Sequence, residues 1–379
     1  MRPIDSVDAP AGEEMDAARS ERDRREREAL AKIEKVRSMP ARFRDDRITM
    51  AHGAGGKAMG TLIEGLFVPA FGSGELEALN DAASILVDDA ELALTTDSFV
   101  VTPIRFPGGS IGELAVNGTV NDLAVSGARP IALTLSMILE EGLSAEDLRA
   151  EVDAIAKAAA EAGVRIVAGD TKVVQRGHAD SMYICTTGLG RRDPRANLSP
   201  TALRPSDHIL VSGRVGDHGT AIMLARGEFE LGAQIESDTR SLWPAMDALL
   251  GAAGEHLRCA RDATRGGVAS VLNELASTSG VAVLVDEERI PVHPAVAGAC
   301  EILGIDPMYV ANEGVLVAVV AEAVAADALD ALRAVPGCEG AADIGQVKTE
   351  PAGMVLVQTT FGGKRVMDLL VGDPLPRIC

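Results

Sequence analysis

Five aspartates stand beside small residues at the ends of apolar runs: Asp81 in L-N-D-A-A-S, Asp97 in A-L-T-T-D-S, Asp122 in V-N-D-L-A, Asp170 in A-G-D-T-K and Asp262 in R-D-A-T-R-G-G. Magnesium takes hard oxygen ligands, keeps several of its waters, and bridges protein carboxylates to nucleotide phosphates. Aspartates from separate loops therefore suit a metal–phosphate site, although any one of them serves equally well as a helix cap or turn closer. A second reactive group ends the chain. Pro374-Leu375-Pro376-Arg377-Ile378-Cys379 places a thiol on an arm that two prolines keep out of helices and central strands. The neighbouring terminal carboxylate disfavours the thiolate and Arg377 partly offsets it, so an ordinary thiol is expected. The plain alternative is a frayed terminus. Prenylation is a poor alternative, because that signal places cysteine fourth from the end.

Two glycine-rich stretches add candidates. Gly53-Ala54-Gly55-Gly56 precedes a helical pattern, so its free N–H groups suit an anion, yet it lacks the Walker spacing and reads equally as a tight turn. Gly108-Gly109-Ser110-Ile111-Gly112 matches the nucleophile elbow of a serine hydrolase, with His52-Gly53-Ala54-Gly55-Gly56 resembling an oxyanion-hole motif. Pro103 and Pro107 interrupt the approach to Ser110 and leave it no adjoining strand, so Ser110 is expected to be a helix N-cap.

These groups need elements to hold them. A chain of 379 residues, 47% hydrophobic and only 3% aromatic, suits about two α/β domains with small side chains between layers. A formal net charge of −20 disfavours nucleic acid and anionic membranes as partners. Five cysteines without a C-x-x-C pair argue against a disulfide framework or thiolate zinc, and with no apolar membrane span or export signal the expected location is cytoplasmic. Residues 1–48, with R-S-E-R-D-R-R-E-R at 19–27, read as a charged extension without chemistry. The pattern then predicts a short strand over 48–51, a helix over 57–67, a hairpin around Asp88-Asp89, a helix over 110–126, a buried strand over 131–139, a capped helix from Ser144 to Ala162, and strands over 164–168 and 182–189. Residues 195–207 read as a linker. The second half predicts strands over 209–212, 281–285, 314–319 and 354–358, with helices over 217–226, 242–253 and 267–278, from His293, and over 323–334. The expected division is 1–48, 49–195, 196–360 and a tail over 361–379.

The runs T-T-D-S-F-V-V-T-P (95–103), F-P-G-G-S-I-G-E-L-A-V-N-G-T-V-N-D-L-A (106–124), A-G-D-T-K-V-V (168–174), G-D-H-G (216–219), D-A-T-R-G-G-V (262–268), A-N-E-G (311–314) and the final P-R-I-C resemble the HypE family of hydrogenase maturation factors, which are carbamoyl dehydratases. The resemblance spans about 49–379; the charged extension departs from it. It implies the two-domain α/β fold of aminoimidazole ribonucleotide synthetase, selenophosphate synthetase and thiamine-monophosphate kinase, dimerising through the N-terminal domain with a mobile tail. The short Asp motifs fit any of these relatives, and another ATP-dependent kinase or synthetase is the alternative. What the resemblance implies for chemistry is ATP-dependent conversion of a thiocarboxamide on Cys379 to a thiocyanate, the source of cyanide for hydrogenase iron. Mg2+ would sit on Asp81, Asp97, Asp122 and Asp262. Gly55, Gly56, Asn121, Asp170 and Thr171 would line the ATP site, and Lys172, Glu313 and His218 are the candidates for proton handling. The implied partners are the carbamoyltransferase HypF, the HypC–HypD iron scaffold and a second copy of the chain.

Overall fold

The computed structural model describes residue 24 and residues 42–54, 56–71, 79–227 and 234–370. The expectations for Gly55 and Cys379 thus lie outside the described residues. Where a strand was expected over 48–51, Met50–Gly53 forms a 3-10 turn, because the Thr49 N–H donates to the His52 ring and closes the chain on itself. Helix α1 (Lys57–Leu62) continues through a π turn, Ile63–Phe67, into α2 (Val68–Phe71). The hairpin β1 (Ala83–Val87) and β2 (Ala90–Phe99) follows, with Asp88 taking the positive φ of 52° that its turn requires. A two-residue ladder, β3 (Arg105–Phe106) with β4 (Gly109–Ser110), leads into α3 (Ile111–Val125). Then come β5 (Ala128–Glu140), α4 (Ala145–Glu161, capped by Ser144 as its S-x-x-D pattern predicts), β6 (Arg165–Val174) and β7 (Met182–Arg192). The first sheet runs β1-β2-β7-β5-β6, antiparallel except for the β5/β6 pair. Along β7 buried and half-buried residues alternate, so one face packs under α3 and α4. Edge strand β6 is exposed along nearly its whole length, as are Ile85, Leu86 and Val87 of β1.

After the linker, β8 (His208–Val211), α5 (Asp217–Ala225), α6 (Trp243–Ala253), β9 (Leu257–Asp262), α7 (Gly267–Ser279), β10 (Ala282–Asp286), α8 (Pro294–Leu303), β11 (Leu316–Val320), α9 (Ala325–Arg333), β12 (Ala342–Lys348), β13 (Val355–Gln358) and β14 (Lys364–Met367) complete the chain. Their sheet runs β14-β13-β10-β12-β8-β11-β9. It is covered on both faces, which is why β11 reads as an uninterrupted apolar run and is buried at all five positions. Pairing of β13 with β14 carries the ordered second domain through Met367, past residue 360. Strands β9, β12 and β14 carry charges among their apolar residues, and for that reason period alone does not reveal them.

Helix α3 sits between the two sheets. Its residues Ala124 and Val125 join the core of Leu210, Leu242 and Met246 in the second domain, while Ile222 and Ala311 of the second domain join the core of the first. Gly118 lets α3 approach β2, since a Cβ there would stand 2.7 Å from the Phe99 ring.

Candidate active site

Four of the five aspartates converge around α3. Asp97 lies near the end of β2, Asp81 in the turn before β1, Asp122 on α3 and Asp262 at the end of β9. Each is half-buried, recessed among protein atoms yet reachable from solvent. The Thr95 hydroxyl lies 2.7 Å from Asp122 Oδ2 and 2.9 Å from the Asp81 carbonyl oxygen, which ties β2, α3 and the 79–82 turn together. Loss of water pushes the Asp122 and Asp262 carboxyls well above the ordinary range, and both are raised further by the charges of Asp81 and Asp97. Desolvation also raises Asp97 and Asp81, against the nearby Arg265 for the first and Arg261 for the second. Arg261 Nη1 donates to Asp81 Oδ1 at 2.5 Å. Arg265 Nη1 donates at 3.0 Å to the carbonyl oxygen of Gly53, so the glycine stretch is tied to the aspartate cluster. These two arginines were not singled out from sequence, although both stand inside R-D-A-T-R, on either side of Asp262.

Among the described residues no three acidic, imidazole or thiol groups stand close enough to hold a metal ion as they are placed. The charge of Asp81 thus raises the proton affinity of Asp97, Asp122 and Asp262, while Asp81 itself is raised by burial alone.

Gly56 is the N-cap residue of α1. His218 is fully buried in the first turn of α5, its Nδ1 2.8 Å from Ser237 Oγ and its ring edge-on to Phe106 at 5.6 Å. Glu313 is buried; its N–H donates to Asp238 Oδ1 at 2.9 Å and its carbonyl accepts from Asn121 Nδ2 at 3.1 Å. Since Asn121 precedes Asp122 on α3, the Glu313 backbone is anchored one residue from the aspartate cluster. Asn121 itself is committed elsewhere than expected. Its amide nitrogen donates to the Arg240 and Glu313 carbonyls and its oxygen accepts the Leu242 N–H at 2.7 Å, so it fastens the domains instead of lining a ligand site. Ser237 and Asp238, which hold His218 and Glu313, belong to an irregular polar stretch with no period to mark them.

Asp170, Thr171 and Lys172 are not brought to the cluster. They lie inside β6, where a loop was expected, and all three are exposed. Lys172 Nζ donates to Asp170 Oδ2 at 2.6 Å, and this bond lowers the Asp170 carboxyl. The register runs Asp97–Thr186–Leu135–Gly169, which sets β6 level with Asp97 but three strands away, about 14 Å at the usual strand spacing. Ser110 is the N-cap of α3, accepting from Glu113 N at 3.5 Å; a two-residue strand does adjoin it. His52, which opens the stretch resembling an oxyanion-hole motif, is engaged by Thr49 and Asp45.

The sequence matches the family described as AIR synthase related protein, N-terminal domain, over residues 79–192, and the corresponding C-terminal domain over 204–358. It is 50% identical over 340 residues to the carbamoyl dehydratase HypE of Rhodobacter capsulatus, covering 89% of this chain and 99% of that one. Among solved structures it is similar to the HypE–HypF complex (TM-score 0.78, 44% identity, 82% of this chain and 99% of that chain). It is also similar to HypE in complex with ATP (TM-score 0.74, 44% identity, 88% and 100%).

Proposed function

The chain belongs to the HypE family of carbamoyl dehydratases, and from that membership we propose that it converts a thiocarboxamide on Cys379 into a thiocyanate at the expense of ATP. The observation that carries the reading is the recessed set of Asp81, Asp97, Asp122 and Asp262, interleaved with Arg261 and Arg265 and joined to the Gly53 carbonyl. Such a set suits polyphosphate bound with a metal ion better than it suits any neutral substrate.

In the proposed reaction the carboxamide oxygen leaves as phosphate after accepting the γ-phosphoryl group of ATP, and both N–H protons are lost, leaving S–C≡N, ADP and phosphate. Mg2+, held by carboxylates drawn from Asp81, Asp97, Asp122 and Asp262, supplies charge neutralisation at the phosphates. Arg261 and Arg265 hold the carboxylates in place and limit their mutual repulsion. Gly56, the N-cap residue of α1, offers a backbone donor at the start of that helix. Glu313, whose backbone is held at its N–H by Asp238 and at its carbonyl by Asn121, is the first candidate to take a proton, and the buried His218 is the second.

Lys172 enters this scheme through a second copy of the chain. An edge strand exposed on both faces, carrying Ile166, Val167 and Val173 with open side chains, is suited to being covered by another molecule, and we place the homodimer contact there. Asp170, Thr171 and Lys172 then act across the dimer. HypF is the proposed loading partner and HypC–HypD the iron-bearing acceptor, and a cytoplasmic location follows from that company. Among the described residues no helix is long and apolar enough to cross a membrane.

Mass spectrometry of the C-terminal peptide tests the reading. After incubation with HypF, carbamoyl phosphate, ATP and Mg2+, the peptide should gain a carboxamide and then lose the mass of one water. A modification on Cys185, Cys259, Cys300 or Cys338 in its place overturns it and leaves the kinase or synthetase alternative.

A further inference from the structure

We propose that Asp45 is a positioning residue for the glycine loop: by holding the His52 ring it sets the loop over the aspartate cluster, so a residue of the charged N-terminal segment takes part in nucleotide binding. The inference rests on the reading that the turn carrying Gly53 and Gly56 meets the phosphates of ATP.

His52 is buried, with its side chain only 4% exposed. A buried imidazole is tolerated when both ring nitrogens are satisfied. Nδ1 lies 3.0 Å from the backbone N–H of Thr49, a group that can only donate, 3.1 Å from the Thr49 hydroxyl and a longer 3.3 Å from its carbonyl oxygen, so the shortest contact assigns Nδ1 as acceptor and the ring proton to Nε2. Nε2–H then donates to Asp45 Oδ2 at 2.9 Å, a bond strengthened by the charge on the acceptor. Phe43 closes the ring's remaining face edge-on, with centroids 5.7 Å apart and planes at 77°. These contacts fix the imidazole from two positions in the 42–48 segment and one in the turn.

A fixed His52 constrains the glycine turn beside it. The residue sits one position before Gly53, whose carbonyl accepts from Arg265, and Arg265 is the cation that opposes the raised proton affinity of Asp97. Gly53 has no side chain, and a Cβ there would meet nothing within 4 Å among the described residues, so no packing among them holds this turn. Its orientation comes from the His52 side on the one hand and the Arg265 bond on the other. Without Asp45 the charge-assisted bond at Nε2 is lost, and the ring and the glycine turn beside it are held less firmly. Asp45 is itself 61% exposed at its side chain, so replacing it disturbs no packing.

The test uses the full chain and the dissociation constant for ATP with Mg2+, measured by calorimetry beside thermal denaturation. Asp45→Ala should weaken ATP binding about tenfold, the loss of one charge-assisted hydrogen bond. Asp45→Asn keeps an oxygen acceptor for Nε2–H and should recover most of that loss. Wild-type affinity in Asp45→Ala overturns the proposal, and so does an Asp45→Asn variant as weak as Asp45→Ala, since that result assigns the effect to charge alone. Failure of the wild-type protein to bind ATP refutes the preceding reading instead.

Discussion

Replacing Asp238 by asparagine should change stability in a way that depends on pH. Asp238 Oδ1 accepts the Glu313 N–H, while Oδ2 is buried without a hydrogen-bond partner among the described residues. Burial is the main force pushing this carboxyl up to about 7 from the ordinary 3.8; Asp217 adds to it, and the Glu313 N–H and Arg240 oppose it. At about 1.4 kcal/mol per pH unit, the gap between 3.8 and about 7 corresponds to roughly 4 kcal/mol at most. The folded protein binds this proton more tightly than the unfolded chain does. Its stabilising effect is therefore complete below the unfolded value and is lost as pH rises through the folded one. Asparagine preserves the Oδ1 acceptor and carries no charge at any pH. The stability of Asp238→Asn relative to wild type should thus climb by about 4 kcal/mol between roughly pH 4 and pH 8. Urea denaturation of both proteins at a series of pH values measures this. A difference that stays flat across the range would refute the argument that Asp238 is a buried, pH-titrating acid.

Three further outcomes are expected. Cys379→Ala should fold and bind ATP but accept no carboxamide, and Cys379→Ser should be a poor cyanide donor; intact-mass measurement after loading reads both. Asp97→Asn and Asp262→Asn should each lower Mg2+-dependent ATP turnover by about 10²- to 10³-fold while keeping the wild-type far-ultraviolet circular dichroism, because each removes one charged oxygen from the phosphate site. Asn121→Ala should destabilise the protein by about 3 kcal/mol, counted as about 1 kcal/mol for each of three lost hydrogen bonds, and a denaturation midpoint unchanged from wild type would contradict the latch.

The sequence made the longer helices and the uniformly apolar strands legible because their patterns are unbroken. Helix α4 announces itself by Ser144 with Asp147 and by its apolar stripe, and β11 by five consecutive apolar residues. What period cannot express is where a strand lies in its sheet. G-D-T-K reads as a loop motif after an apolar run, yet Asp170 to Lys172 continue β6, and only the strand order places them three strands from Asp97. The first turn fails for a similar reason: Ile48 to Ala51 has the composition of a short strand, but the bond from Thr49 to His52 and the reach of Asp45 decide its shape, and neither is visible without coordinates.

Helix α3 explains why the aspartates are legible as a set while their neighbours are not. Asp122 faces β2 and takes the Thr95 hydroxyl, and the adjacent Asn121 faces the second domain and takes its backbone from Arg240, Leu242 and Glu313. Successive residues on a helix point about 100° apart, so a single N-D pair serves two surfaces. In sequence the pair looks like one polar motif, and both members attract the same assignment. Asn121 determines where the 235–242 stretch and Glu313 come to rest, and Asp122 carries the charge that the site must neutralise. A change at either position should therefore disturb ATP turnover, but Asn121 variants should lose stability in parallel with activity, whereas an Asp122→Asn variant, relieved of repulsion from Asp97, Asp262 and Asp81, should lose activity while holding or gaining stability. Parallel losses in both variants would mean that Asp122 is a structural residue and that the cluster has three functional members.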